Sequence, residues 1–255
     1  MKAGKESRTK NTKKTLILLS AFLVCVLLAA VLLIRAAFSG SVFFSSGASQ
    51  ENYKIAVIVK STTSSFFNSV FAGAGVAAAE YNVELTTEGA VTEEDYEAQN
   101  ALIDQAVENG ADAIVISAVD FHGNEEAVQR AADQGLPIVV IDSDVNSDDV
   151  ICRIGTDNFA AGRMAAETVL SGTEGLLSIG IVNFDENTAN GQERETGFRE
   201  VVGESIRVKE VKTINVLSTI EDARQGTREL IQEHPDLNVI VTFNEWTSLG
   251  VGWAV

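Results

Sequence analysis

Cysteine, histidine, proline and methionine each occur only twice in the 255 residues, and positive charge is scarce, with 19 Lys+Arg against 36 Asp+Glu. Two cysteines exclude a disulfide scaffold, and with His122 and His234 they argue against an all-protein zinc cage, which needs four soft or imidazole ligands. A formal net charge of −17 argues against nucleic acid as a partner, because phosphate binding requires a basic face. Common enzyme motifs are missing too: there is no Gly-x-x-x-x-Gly-Lys-Ser/Thr loop, no Gly-x-Ser-x-Gly elbow and no His-Glu-x-x-His helix. With no nucleophile–base pair in view, the chain is expected to be no enzyme and to use neither cofactor nor metal. What is present, 45% hydrophobic and 22% charged residues, is enough to bury a sizeable globular core.

The charge is unevenly spread. Residues 1–35 carry Lys2, Lys5, Arg8, Lys10, Lys13, Lys14 and Arg35 against Glu6 alone, which leaves 12 of the 19 basic residues facing 35 of the 36 acidic ones. Between Lys14 and Arg35, Thr15–Ile34 is a charge-free apolar run, long enough as a helix to cross a bilayer's hydrocarbon layer. Lysines before it place residues 1–14 in the cytoplasm and the remainder outside. A cleaved signal peptide is the rival reading, but its apolar core is usually only about 7–15 residues. The organisation expected is a basic tail over 1–14, a single-pass anchor over 15–35, and a Ser/Gly-rich tether over 36–52. Cys25 falls within the anchor, and Cys152, in an apolar strand, is expected to be a buried small hydrophobe.

From Tyr53 onward, β-branched runs alternate with helix-length segments, the pattern of a parallel sheet with helices on both faces. Strands are predicted at 54–59, 83–87, 113–117, 138–142, 151–156, 177–183, 208–214 and 239–244. Gly110 and Gly135 stop the helices before them, and Asp157 caps the next one. Once, at VNSDDV, two strands follow each other with no helix between, which parallel neighbours ordinarily require. The chain is therefore expected to change sheets there, giving lobe 1 over 53–143, a hinge over 144–151 and lobe 2 over 152–255. Gly73 and Gly75 fall well inside a helix rather than at a nucleotide-binding turn, and are expected to let that helix pack closely on the sheet. The acidic clusters Glu93-Glu94-Asp95 and Asp148-Asp149 are read as solvated faces and caps.

In open α/β sheets, ligands bind beyond the carboxyl ends of the strands. That rule selects the loop from Ser61 to Ser69 with Phe66 and Phe67, then Ser117, Asp142, Asn183 and Asn244. A carboxylate accepts hydroxyl hydrogens, an amide both donates and accepts, and an aromatic face covers the C–H side of a sugar ring, so this mixture suits a neutral polyol. Asp142 and Asn244 satisfying only loop backbone is the alternative for each residue taken singly.

The segments KIAVIVKSTTSSFFNSVFAGA, ENGADAIVISAVD, AADQGLPIVVIDSDV, IGTDNFAAGRMAAE, ERETGF and VTFNEWTSLG, in this order, resemble the type I periplasmic-binding-protein family of sugar-binding proteins, the ribose type. The resemblance implies an α/β fold of two Rossmann-like lobes that close on a monosaccharide. It also implies delivery to an ABC transporter permease or, alternatively, presentation of the liganded form to a membrane histidine kinase or chemoreceptor. Carried over, it places Ser64, Phe66, Phe67, Ser117, Asp142, Gln192 and Asn244 against the ligand. Two positions depart from it: Ser143 and Gln192 stand where the ribose binder has arginines, with Arg194 close to the second. Relatives continue past the point matching Val255, so the second lobe is expected to be incomplete.

Overall fold

The computed structural model describes residues 52–255. The expected anchor over 15–35 and nearly all of the tether lie outside them; among the described residues, no helix is long and apolar enough to cross a membrane.

Among the described residues, eight strands and seven helices follow one another, alternating except where the fifth strand comes directly after the fourth. The first sheet is built from β1 (Lys54–Val59), β2 (Glu84–Gly89), β3 (Ala113–Ile116), β4 (Ile138–Ile141) and β5 (Val150–Ile154). Its order is β2-β1-β3-β4-β5, all parallel. The second, also parallel, has the order β7-β6-β8, formed by β6 (Leu177–Asn183), β7 (Val208–Asn215) and β8 (Val239–Thr242). The interior strands β1 and β6 are largely apolar because helices cover both their faces: β6 is buried along its whole length and β1 from Ala56 to Val59.

On the first sheet, α1 (Ser65–Tyr81) packs Phe67, Val70 and Phe71 on Val57 and Val59. α2 (Tyr96–Glu108) and α3 (Glu125–Asp133) bring Ile103, Ala106, Ala127 and Val128 to the other face, against Ile58, Ile114 and Ile116. On the second sheet, α4 (Asn158–Gly172) and α5 (Ala189–Gly203) supply Ala166, Phe198 and Val202 to one core. α6 (Ile220–Glu233) and α7 (Glu245–Ala254) supply Ala223, Leu230 and Val251 to the other.

The punctuation read from the sequence has a physical basis. Gly110 (φ 73°) and Gly135 (φ 85°) adopt left-handed backbone that disfavours a Cβ. Each closes a helix with paired reverse hydrogen bonds: Gly110 N–H to Val107 and Ala111 N–H to Ala106, then Gly135 N–H to Ala132 and Leu136 N–H to Ala131. Asp157 accepts from Ala160 N–H at 2.9 Å, capping α4.

Three expectations are corrected. The chain does not change sheets at VNSDDV, because β5 pairs with β4 in the first sheet, Val140 opposite Arg153 and Ile141 opposite Ile154. A parallel return needs reach rather than a helix. The stretch from Asp142 to Asp149 can span about 26 Å, roughly twice what is needed to run back along four-residue β4. Arg153 pins this stretch, its Nε donating to Asp144 at 2.9 Å and its Nη2 to the Ser147 carbonyl at 2.6 Å. The passage into the second sheet's helices instead follows β5, between Ile154 and Asn158. Cys152, on this outer strand, is exposed rather than buried. Nor are Gly73 and Gly75 close-packed, since a Cβ added at either would meet nothing within 4 Å.

One buried amide ties the loop after β3 to the helix layer. Gln99 is 0% exposed; its Nε2 donates to the Ser117 carbonyl at 2.9 Å and its Oε1 accepts from Val119 N–H at 2.9 Å. Replacing it leaves two buried backbone groups unpaired, at about 1–3 kcal/mol each. Gln99→Leu is therefore expected to cost about 2 kcal/mol or more and to lower the melting temperature by roughly 4–8 °C in calorimetry. An unchanged melting temperature would show that the loop stands without it.

Candidate ligand-binding cleft

Each sheet has a point where the direction of winding reverses: β1, flanked by β2 and β3, and β6, flanked by β7 and β8. Loops diverge there, leaving a crevice beyond the carboxyl ends of the strands. The two crevices face one another across a cavity of about 150 Å³, room for a small polar molecule rather than a single water. From the first sheet it is lined by Lys60, Ser64, Phe66 and Phe67 after β1, Glu93 after β2, and Asp142 after β4. From the second it is lined by Phe184 after β6, Asn190 and Arg194 on α5, and Asn244, Glu245 and Trp246 after β8.

Five of the seven residues selected from the sequence line this cavity: Ser64, Phe66, Phe67, Asp142 and Asn244. Phe67 is 2% exposed and also belongs to the core beneath α1, whereas Phe66 is 49% exposed and meets Phe67 edge-on at 5.1 Å between ring centroids. Ser117 is fully buried behind the cavity wall, where its Oγ donates to Asp142 Oδ2 at 3.1 Å, so it orients the carboxylate. Asn244 caps α7, its Oδ1 accepting from Thr247 N–H at 2.9 Å. The backbone-satisfying reading therefore holds for that oxygen.

Gln192 is corrected: it does not line the cavity, and Arg194, two residues along α5, does. A shift of two positions on a helix rotates a side chain by about 200°, so only one of the pair can face inward. Arg194 is fixed by Nε donating to Asn158 Oδ1 at 2.9 Å and Nη1 to the Phe243 carbonyl at 2.6 Å. Asn183 is also redirected. It is fully buried, with Nδ2 donating to Glu195 at 2.9 Å and Oδ1 accepting from Phe184 N–H at 3.0 Å. Ser143 is buried with its Oγ unpartnered.

Sequence reasoning misses Lys60, Phe184, Asn190, Glu245 and Trp246, and places Glu93 on a solvated face. Of that acidic cluster, only Asp95 behaves as a cap, accepting from Ala98 N–H at 2.9 Å. Glu93 is 9% exposed, and burial pushes its carboxyl above the usual range. Burial likewise pushes the enclosed Lys60 ammonium below its ordinary value.

Side chains reach across the gap from both walls. Lys60 Nζ donates to Asn190 Oδ1 at 3.3 Å, and Asn190 Nδ2 donates to Asp142 at 3.4 Å. Trp246 Nε1 donates to Glu93 at 3.3 Å, Ser65 Oγ to Glu245 at 3.1 Å, and Ser218 N–H to Glu94 at 2.6 Å. Phe121 N–H donates to the Asn187 carbonyl at 2.9 Å. The cleft is thus in a closed arrangement. Asp142 has φ 59°, a left-handed backbone that Asp and Asn tolerate better than other L-residues. That turn carries its side chain into the cavity directly after β4.

The sequence profile of the periplasmic binding protein domain matches residues 55–255. This chain belongs to that family. A D-ribose/D-allose-binding protein of Pseudomonas aeruginosa is 27% identical over 213 residues, covering 80% of this chain and 66% of that protein. A ribose import binding protein of Bacillus subtilis is 22% identical over 209 residues, covering 81% of this chain and 66% of the relative. The chain thus spans just under two thirds of the length of these relatives. Among solved structures, a carbohydrate transporter solute-binding protein from Agrobacterium radiobacter, crystallised with D-arabinose, superposes with a TM-score of 0.75 at 29% identity. That superposition covers 81% of this chain and 72% of the structure. The periplasmic binding protein fold, with its two wound sheets and the gap between them, is therefore established for residues 55–255.

Proposed function

We propose that this protein is a membrane-tethered, extracytoplasmic binding protein for a monosaccharide or a similar small polyol, which it delivers to an ABC transporter. The observation that carries this reading is the meeting, in one closed cleft, of Asp142, Asn190, Arg194 and Asn244 with the rings of Phe66, Phe184 and Trp246. Carboxylate, amide and guanidinium groups match the alternating donors and acceptors of adjacent hydroxyls, and the rings match the C–H faces between them. Sugar-named relatives support the same class of ligand. The apolar run Thr15–Ile34 behind a lysine-rich start supports a tether that holds the binding domain outside the cytoplasm.

Hinge closure around the ligand, rather than bond chemistry, is the working step. The contact between Glu94 and Ser218 lies outside the cavity lining, and that between Ser65 and Glu245 sits at its exposed edge; both suit a latch that registers closure. A partner that distinguishes open from closed arrangements then responds only to the loaded form.

The test is thermal denaturation of the full chain in detergent with a panel of pentoses, hexoses, polyols and sugar acids. One member at about one hundred times its Kd should add about 2.7 kcal/mol, a rise of roughly 5–10 °C for a domain of this size. No shift with any member would overturn the reading.

A further inference from the structure

Lys60 is hard to account for as a structural residue. It is 1% exposed, yet it forms no ion pair among the described residues. Its ammonium carries three donors and meets one acceptor, Asn190 Oδ1, at 3.3 Å, with the Phe184 ring 5.7 Å away. Two N–H groups are left unanswered. Enclosing an ammonium on those terms is costly, and an apolar side chain of the same length would fill the space at no such cost.

The nearby carboxylates do not make up the deficit. Asp142 stands beyond Asn190, whose amide accepts from Lys60 and donates to Asp142, so an amide separates the two charges. Asp142 also accepts from Ser117. Glu93 accepts from Trp246, and burial drives its carboxyl toward the neutral form. Glu245 is exposed and accepts from Ser65. Arg194, the other cation lining the cavity, also forms no ion pair among the described residues, and its Nη2 donates to none of them. Both cations of the cleft thus keep N–H groups without an acceptor, while Asp142 keeps open lone pairs for hydroxyls.

The geometry points to a sugar acid, an aldonic or uronic acid, as the ligand class of this cleft, its carboxylate received by Lys60 and its hydroxyls by Asp142 and Asn244. This rests on the polyol reading above and narrows it. A carboxylate supplies hydrogen-free oxygens to the unanswered N–H groups and a directly paired charge to an ammonium whose burial outweighs the attraction of Asp142, Glu93 and Asp185. Neutral sugars offer only hydroxyl and ring oxygens there, which accept more weakly from an ammonium.

The test is calorimetric titration of the full chain with D-gluconate, D-galacturonate and D-glucuronate, each beside its neutral parent sugar and the corresponding sugar phosphate. The wild type should bind one acid roughly 10- to 100-fold more tightly than its parent. Lys60→Met should abolish that preference without lowering the melting temperature of the unliganded chain, and Lys60→Arg should retain it. The stability readout guards against loss of binding through misfolding.

If neutral sugars bind, acids do not, and Lys60→Met changes nothing, the sugar-acid assignment falls while the polyol reading stands. A preference for the phosphate esters would overturn it equally. If no member of the set binds, the polyol reading fails and this inference fails with it.

Discussion

Asp142→Asn is expected to weaken binding of the cognate ligand about 100-fold while shifting the melting temperature of the unliganded chain by no more than roughly 2 °C. Asparagine keeps the shape and tolerates the left-handed backbone at φ 59°. The substitution therefore isolates the charge. Ser117 and Asn190 both donate to the Asp142 carboxylate from fixed positions, so its remaining lone pairs are already aimed when a ligand arrives. Charge-assisted hydrogen bonds to adjacent hydroxyls are among the stronger polar contacts available in such a cavity. Asp142→Ala should lose the same affinity and also some stability, because alanine strains at this backbone angle. Isothermal titration of both variants with the panel ligand gives the answer. Undiminished affinity in Asp142→Asn would remove this carboxylate from the binding site.

Gly162→Ala should produce a large loss of stability for a single added methyl, about 3 kcal/mol or more, read as a fall of roughly 6–12 °C in melting temperature. In an open helix the same change gains about 1 kcal/mol. Gly162 on α4 lies so close to α5 that an added Cβ would overlap the carbonyl of Arg194, and Gly197 on α5 stands in the same relation to the carbonyl of Phe159. The two helices meet backbone to backbone at these points. Pushing them apart moves the segment that carries Arg194 and Asn190, so the variant should also lose affinity. Gly73→Ala is the matched control: it is helical, faces open space, and should hold or raise the melting temperature. Equal responses from Gly162→Ala and Gly73→Ala would show that the α4–α5 contact is not the tight one described.

Periodicity in the sequence conveyed the alternation of strands and helices because apolar runs such as KIAVIV and LSIGIVN are buried on both faces and have no other stable place. Gly110, Gly135 and Asp157 marked helix ends because left-handed backbone and unsatisfied helix-end groups admit few residue types. Strand membership was less legible. Nothing in VNSDDV indicates whether an extended connection doubles back or moves on; the answer lies in Arg153 gripping Asp144 and Ser147, a tertiary contact. Asp142 could be picked out by its place at a strand end, but Asn190 and Arg194 could not, because a helix presents different residues to a cavity according to a rotation that packing sets. Lys60 did leave a signal. A charged residue directly between an apolar strand and a run of hydroxyl residues has no solvated face to occupy, and its enclosure follows from β1 being central. Glu93 was hidden by company, since acidic neighbours ordinarily mark a solvated stretch.

The backbone twist at Asp142 has a bearing on how this cleft diversifies. Few residue types other than aspartate, asparagine and glycine sit easily at φ 59°, so accepted change there is confined to a narrow set of alleles. Lys60, directly after β1, and Asn190, on a helix, sit in ordinary backbone regions, open to many more replacements. Ligand preference in descendants of this gene should therefore drift through those two positions more readily than through position 142.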